Sequence, residues 1–97
     1  MRLPRGTDFT RREAYDRIET HAATLRQRVY LAIIEAGGSG CTDYELQERL
    51  IMPGNTERPR RIELLKQGLI RDSGRTRESS SGRRAVVWIA TPGVLRR

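Results

Sequence analysis

The spacing of apolar residues changes period once along this chain, and that change constrains the fold more than any other feature. Up to Gly68 the apolar residues recur at helical intervals, and from Leu69 onward they alternate as they do in strands. In ATLRQRVYLAIIEAGG, Leu25, Val29, Ala32, Ile33 and Ala36 fall at i, i+4, i+7, i+8 and i+11, one buried stripe of a helix predicted over 22–36. Gly37 and Gly38 end it as C-cap residues. Tyr30, Leu31 and Ile34 lie off the stripe, so a second cover is expected there. It comes from a short helix predicted over 11–19, where Thr10 and Glu13 form a capping box and Ala14 and Ile18 share a face.

A second capping box, Thr42 with Glu45, opens a helix over 43–51 that buries Leu46 and Leu50. Pro53, Gly54 and Asn55 read as a turn, and a further helix is expected from about 57 to 67, closed by Gly68. After Gly68 the runs LIRD and AVVWIAT predict strands over about 69–77 and 84–91, paired as a hairpin whose tip, RTRESSSGRR, has no apolar residue. Residues 1–9 read as a flexible tail and 92–97 as a basic tail, leaving one domain over 10–91.

A domain this small has a compact core, with about 60% of the unfolded chain's surface buried on folding. One cysteine and one histidine support neither a disulfide framework nor a four-ligand zinc site. The start of the chain has no apolar run for a secretory signal, and no later run is long enough for a membrane span. The expected setting is cytoplasmic, in a bacterial cell or a phage-infected host.

The net charge of +7 is unevenly spread. Residues 1–54 hold eight Lys/Arg against eight Asp/Glu, whereas residues 55–84 hold nine against four. A local excess of this kind suits a phosphate-binding surface, where each cation placed against a duplex releases condensed counterions. A solvated basic face is the alternative.

The segments CTDYELQERL, PGNT, RPRRIELLKQGLI and SGRRAVVW together resemble the winged helix-turn-helix superfamily. They look most like small phage, prophage and actinobacterial proteins of this type, over roughly residues 20–91. The resemblance implies an α+β fold: a three-helix core plus a C-terminal β-hairpin wing, here with an extra short N-terminal helix. It also implies that the helix over 57–67 enters the major groove of double-stranded DNA while the wing meets the backbone or the minor groove.

Side chains can then be given roles. With about 100° per residue, Leu64 and Leu65 set the inward direction of that helix. Arg61 falls on the core side, where Glu45 or Glu48 is the expected partner. Arg58 and Arg60 lie on the flanks, within reach of phosphates or a guanine edge. Thr56, Pro59, Glu63 and Lys66 face outward, with Pro59 in the first helical turn, where a missing N–H matters little. Asn55 and Thr56 are either caps or ligand contacts, and Lys66 is either a contact or a solvated helix end. On the wing, Arg75, Arg77, Arg83 and Arg84 are candidate contacts, with Ser79, Ser80 and Ser81 as hydroxyl donors. Arg77 and Arg83 are preferred, although charged edge strands also guard against aggregation.

Trp88 reads as core packing, Cys41 as a short buried strand residue and His21 as part of a helix start. No nucleophile, partner acid or phosphate-cradling glycine loop accompanies that histidine, so neither an enzyme nor a cofactor is expected. The expected function is duplex DNA binding, as a transcriptional regulator or as an accessory factor in phage-type replication or recombination. The alternative is a winged-helix module that docks onto a larger protein complex, which Glu57 and Glu63 favour by diluting the positive field. A homodimer through Tyr15 and Ile18 of the 11–19 segment is a further possibility.

Overall fold

A computed structural model describes residues 11–92, with side chains from residue 21 onward. The expectations for the two tails, the Thr10 capping box and the contacts of Tyr15 and Ile18 lie outside the described residues. The chain is α+β: helix α1 (Arg11–Ala36), a 3-10 turn (Gly37–Ser39), helices α2 (Asp43–Leu50) and α3 (Gly54–Lys66), then strands β1 (Ile70–Glu78) and β2 (Arg84–Ala90). The three helices followed by an antiparallel hairpin are compatible with a winged-helix layout.

The separate helices expected over 11–19 and 22–36 are one continuous helix of 26 residues. The joining residues, Thr20, His21, Ala22 and Ala23, include no glycine or proline, and alanine is the best helix former. His21 is therefore an exposed residue inside a helix and not a helix start. An uninterrupted helix cannot fold back on itself, so the expected cover for Leu31 is missing and that side chain is 49% exposed.

The stripe of α1 delivers Val29, Ala32 and Ile33 to the core, where they meet Leu46 of α2, Leu64 of α3, Met52, Ile70 and Trp88. The capping box of α2 forms as read: Thr42 Oγ1 accepts from Glu45 N–H, and Glu45 Oε1 accepts from Thr42 N–H, both at 3.1 Å. Helix α3 starts three residues earlier than expected. Extended Pro53 is its N-cap, and the N–H groups of Thr56 and Glu57 both donate to the Pro53 carbonyl at 3.0 Å. Asn55 and Thr56 thus sit inside the first turn and are not caps. Pro59 is consequently the sixth helical residue, where its ring removes the N–H that would donate to the Asn55 carbonyl.

The strands pair from Ile70↔Ala90 to Glu78↔Arg84, with a register shift between Asp72 and Thr76. Gly74, at φ 86°, lies in this bulge, which bends β1. Cys41 adds a one-residue bridge on the other side of β2: its N–H donates to the Trp88 carbonyl at 3.0 Å, and its carbonyl accepts from the Trp88 N–H at 2.8 Å. The approach requires Gly40, whose φ is 66° and at which a Cβ would lie 2.5 Å from the Trp88 carbonyl oxygen. Among the described residues, no helix is long and apolar enough to cross a membrane.

Candidate nucleic-acid interface

The basic residues of the 55–84 segment divide by whether the fold already gives them partners. Arg61 is turned inward, as its helical position suggests. Its Nε and Nη2 donate to Asp43 Oδ1 and Oδ2 at 2.9 and 2.7 Å, and its guanidinium lies 4.5 Å from the Trp88 ring centroid. The partner is Asp43, the first residue of α2, and not Glu45 or Glu48.

Glu45 closes the capping box and also accepts from Arg77, Nε at 2.9 Å and Nη2 at 3.0 Å. Burial works against the charge of Glu45, but the Arg77 hydrogen bond and the Thr42 N–H outweigh it and hold the carboxyl below its ordinary value. Arg77 donates further to the carbonyls of Ser39 and Gly40. Its guanidinium staples the hairpin to the start of α2, so the residue expected as a leading ligand contact has a structural role in the fold. Arg75 is similarly engaged by the Gly38 carbonyl.

Arg60, expected on a flank of the buried stripe, is also held by the fold, with its side chain only 18% exposed. Its Nη2 donates to Glu63 Oε2 at 2.8 Å, while Glu63 Oε1 accepts from Arg26 of α1 at 2.9 Å. Glu63 therefore ties α1 to α3 and does not face outward.

Glu57 is the residue whose role the sequence conceals most. It is fully buried, and its Oε1 accepts from Gln47 Nε2 at 3.0 Å. Burial first, and then the neighbouring Asp43 carboxyl, push its pKa up to about 8. Its Oε2 meets no hydrogen-bond partner among the described residues. For Asp43, burial is the largest single effect and raises the pKa, but the hydrogen bonds from Arg61 and Glu57 and the charges of Arg61 and Arg58 together outweigh it and hold the carboxyl below its ordinary value. Glu57 shares a helical face with Arg61 and Leu64 at i, i+4 and i+7, the one signal by which its burial could have been found.

Five cations of this segment remain: the side chains of Arg58, Lys66, Arg71, Arg83 and Arg84 make no hydrogen bond or ion pair among the described residues. Three of them, Arg58, Arg83 and Arg84, line one open groove of about 360 Å³. Its other walls are Asp43, Tyr44 and Gln47 of α2, and Ser79, Ser81 and Ala85 of the hairpin. The Arg58 side chain doubles back along α3, where its Nη1 would stand 2.9 Å from a Cβ on Gly54. A glycine there leaves that guanidinium room beside the groove.

The hairpin tip is held in shape on the opposite wall. Ser79 N–H donates to the Arg83 carbonyl at 2.8 Å, Gly82 N–H to the Ser79 carbonyl at 2.9 Å, and Ser80 Oγ to Tyr44 Oη at 3.2 Å. The Ser79 and Ser81 hydroxyls bond each other at 2.9 Å within the groove wall. Three guanidiniums with adjacent hydroxyls form a surface suited to phosphate oxygens.

The remaining candidates lie elsewhere on α3. Asn55, Thr56, Pro59 and Lys66 are outside the groove, with Asn55 and Lys66 exposed and Thr56 and Pro59 half-buried. Between them stand Ile62, 41% exposed, and Leu65, 37% exposed. Leu65 thus does not help to set the inward direction, which runs along Glu57, Arg61 and Leu64. Among the described residues, no three His, Cys, Asp or Glu side chains group so as to hold a metal ion. Comparison of the chain with protein-family models, with curated proteins and with solved structures finds no match.

Proposed function

We propose that the chain is a non-enzymatic duplex DNA-binding protein of the winged helix-turn-helix class. In this reading α2 and α3 are the helix-turn-helix, the hairpin is the wing, and the protein acts in a bacterial or phage-infected cytoplasm as a small regulator or an accessory factor of replication or recombination. The observation that carries it is the convergence of Arg58, Arg83 and Arg84, whose side chains make no hydrogen bond or ion pair among the described residues, on one groove between helices and hairpin. A fold that has found acceptors for Arg60, Arg61, Arg75 and Arg77 leaves these three facing solvent side by side. Their mutual repulsion is relieved when an anion enters.

Anisotropy of a fluorescent duplex of about 20 base pairs tests this reading. Arg83→Ala and Arg84→Ala each weaken binding severalfold and leave the melting temperature unchanged. Arg77→Ala instead lowers the melting temperature, because it unfastens the hairpin from α2. Wild-type affinity in both Arg83→Ala and Arg84→Ala would refute the assignment of the groove.

A second reading, a protein-docking module, is favoured by Ile62 and Leu65, which are neighbours at i and i+3 on the outer face of α3. A stable protein complex that Ile62→Asp abolishes, with no duplex binding at low salt, would establish that reading instead.

A further inference from the structure

We infer that the duplex is gripped through its phosphate backbone alone, without readout of base sequence. This inference rests on the DNA-binding reading and concerns what the same surface can recognise.

Sequence is read when several side chains of one element reach base edges, and the reading residues of a recognition helix lie toward its N-terminal end. The outward stripe of α3 offers Asn55, Pro59, Ile62, Leu65 and Lys66 for that purpose. Proline, isoleucine and leucine have neither donor nor acceptor to offer a base edge, and their only base contact would be with a thymine methyl. Lys66 is the last residue of the helix and carries a compact charge that suits a phosphate as well as a base. Asn55 alone has the amide that pairs bidentately with adenine. One such residue is fewer than the three or four by which helix-turn-helix proteins select a site.

The other polar groups of α3 are held or lie off that stripe. Arg58 doubles back over Gly54 to the groove, Arg60 and Glu63 hold each other, Arg61 is held by Asp43, Glu57 is buried and Thr56 is half-buried. Three of the four unpartnered guanidiniums, Arg58, Arg83 and Arg84, therefore gather on the flank between α2 and the hairpin tip, where they meet a strand of phosphates, and not on the face that would look into the groove floor. Arginine and serine at that flank bond phosphate oxygens identically whatever the bases behind them.

The test uses the full chain and two measurements at one salt concentration. Affinities are taken for several unrelated duplexes of equal length, and a random-sequence duplex pool is carried through repeated rounds of selection. The inference predicts affinities that agree within about threefold, a pool that remains unenriched, and an Asn55→Ala variant that binds every duplex as the wild type does. A selected sequence bound more than about 30-fold tighter than the pool would overturn it, as would loss of such a preference in Asn55→Ala. Failure to bind any duplex at low salt would overturn the DNA-binding reading along with it, so the two failures are distinct.

Discussion

Arg61 and Glu57 bracket Asp43, and the three side chains form a polar knot between α2 and α3. Removing Arg61 leaves the Asp43 carboxylate without its two hydrogen bonds and uncovers the Trp88 ring. Arg61→Ala is expected to destabilise the fold by about 3 kcal/mol in urea unfolding, and Arg61→Lys recovers only part of it because ammonium cannot make the paired bonds. Glu57 adds a pH dependence of known sign. Its pKa rises from an ordinary 4.5 to about 8 on folding, so the native state holds the proton more tightly than the unfolded chain. That contribution is fully present below about 4.5 and is lost as pH rises toward 8. Unfolding free energies measured at pH 5, 7 and 8.5 should fall more steeply for the wild type than for Glu57→Gln. Helical angle alone was enough to turn Arg61 inward, but not to choose its partner. Which of several acids on α2 lies within reach depends on how the helices cross. The pairings of Arg60 and Arg77 are hidden for the same reason, since a count of charges does not reveal which cations the fold has already paired.

Helix α3 tolerates a proline in its interior, and its starting point explains both the tolerance and its cost. With Pro53 as N-cap, the carbonyl left without a donor belongs to Asn55, an exposed residue that water can serve. Pro59→Ala restores the N–H and should stabilise the protein by roughly 1–3 kcal/mol, seen as a higher melting temperature. A first-turn proline would give no such gain, so the substitution discriminates between a helix starting at 54 and one starting near 57. The elements themselves were legible because the hydrophobic period changes where the structure changes, at Leu69, and because the capping box at Thr42 fixes one helix start. Boundaries were less so. Pro-Gly-Asn reads as a turn from composition, yet only Pro53 lies outside the helix, and the alanine pair after His21 fuses what two stripes suggested were separate helices.

For the whole molecule, basic excess becomes function only after the internal pairings are subtracted. Arg26, Arg49, Arg61 and Arg77 serve ion pairs that join helix to helix or hairpin to helix, and Arg60 pairs with Glu63 within α3. The three unpartnered arginines of the groove are what the fold presents to an anion. The α+β order was readable from the sequence, whereas the groove was not, because it is made where α2, α3 and the hairpin tip meet and no single segment contains it. The salt dependence of duplex affinity tests this account most directly. Three neutralised phosphates give a log–log slope of about −2.7, or a loss of about 40-fold between 50 and 200 mM salt. A variant carrying Arg58→Ala, Arg83→Ala and Arg84→Ala should show a nearly flat dependence with its fold intact. Wild-type affinity that does not change with salt, or a triple variant that keeps the full slope, would contradict it.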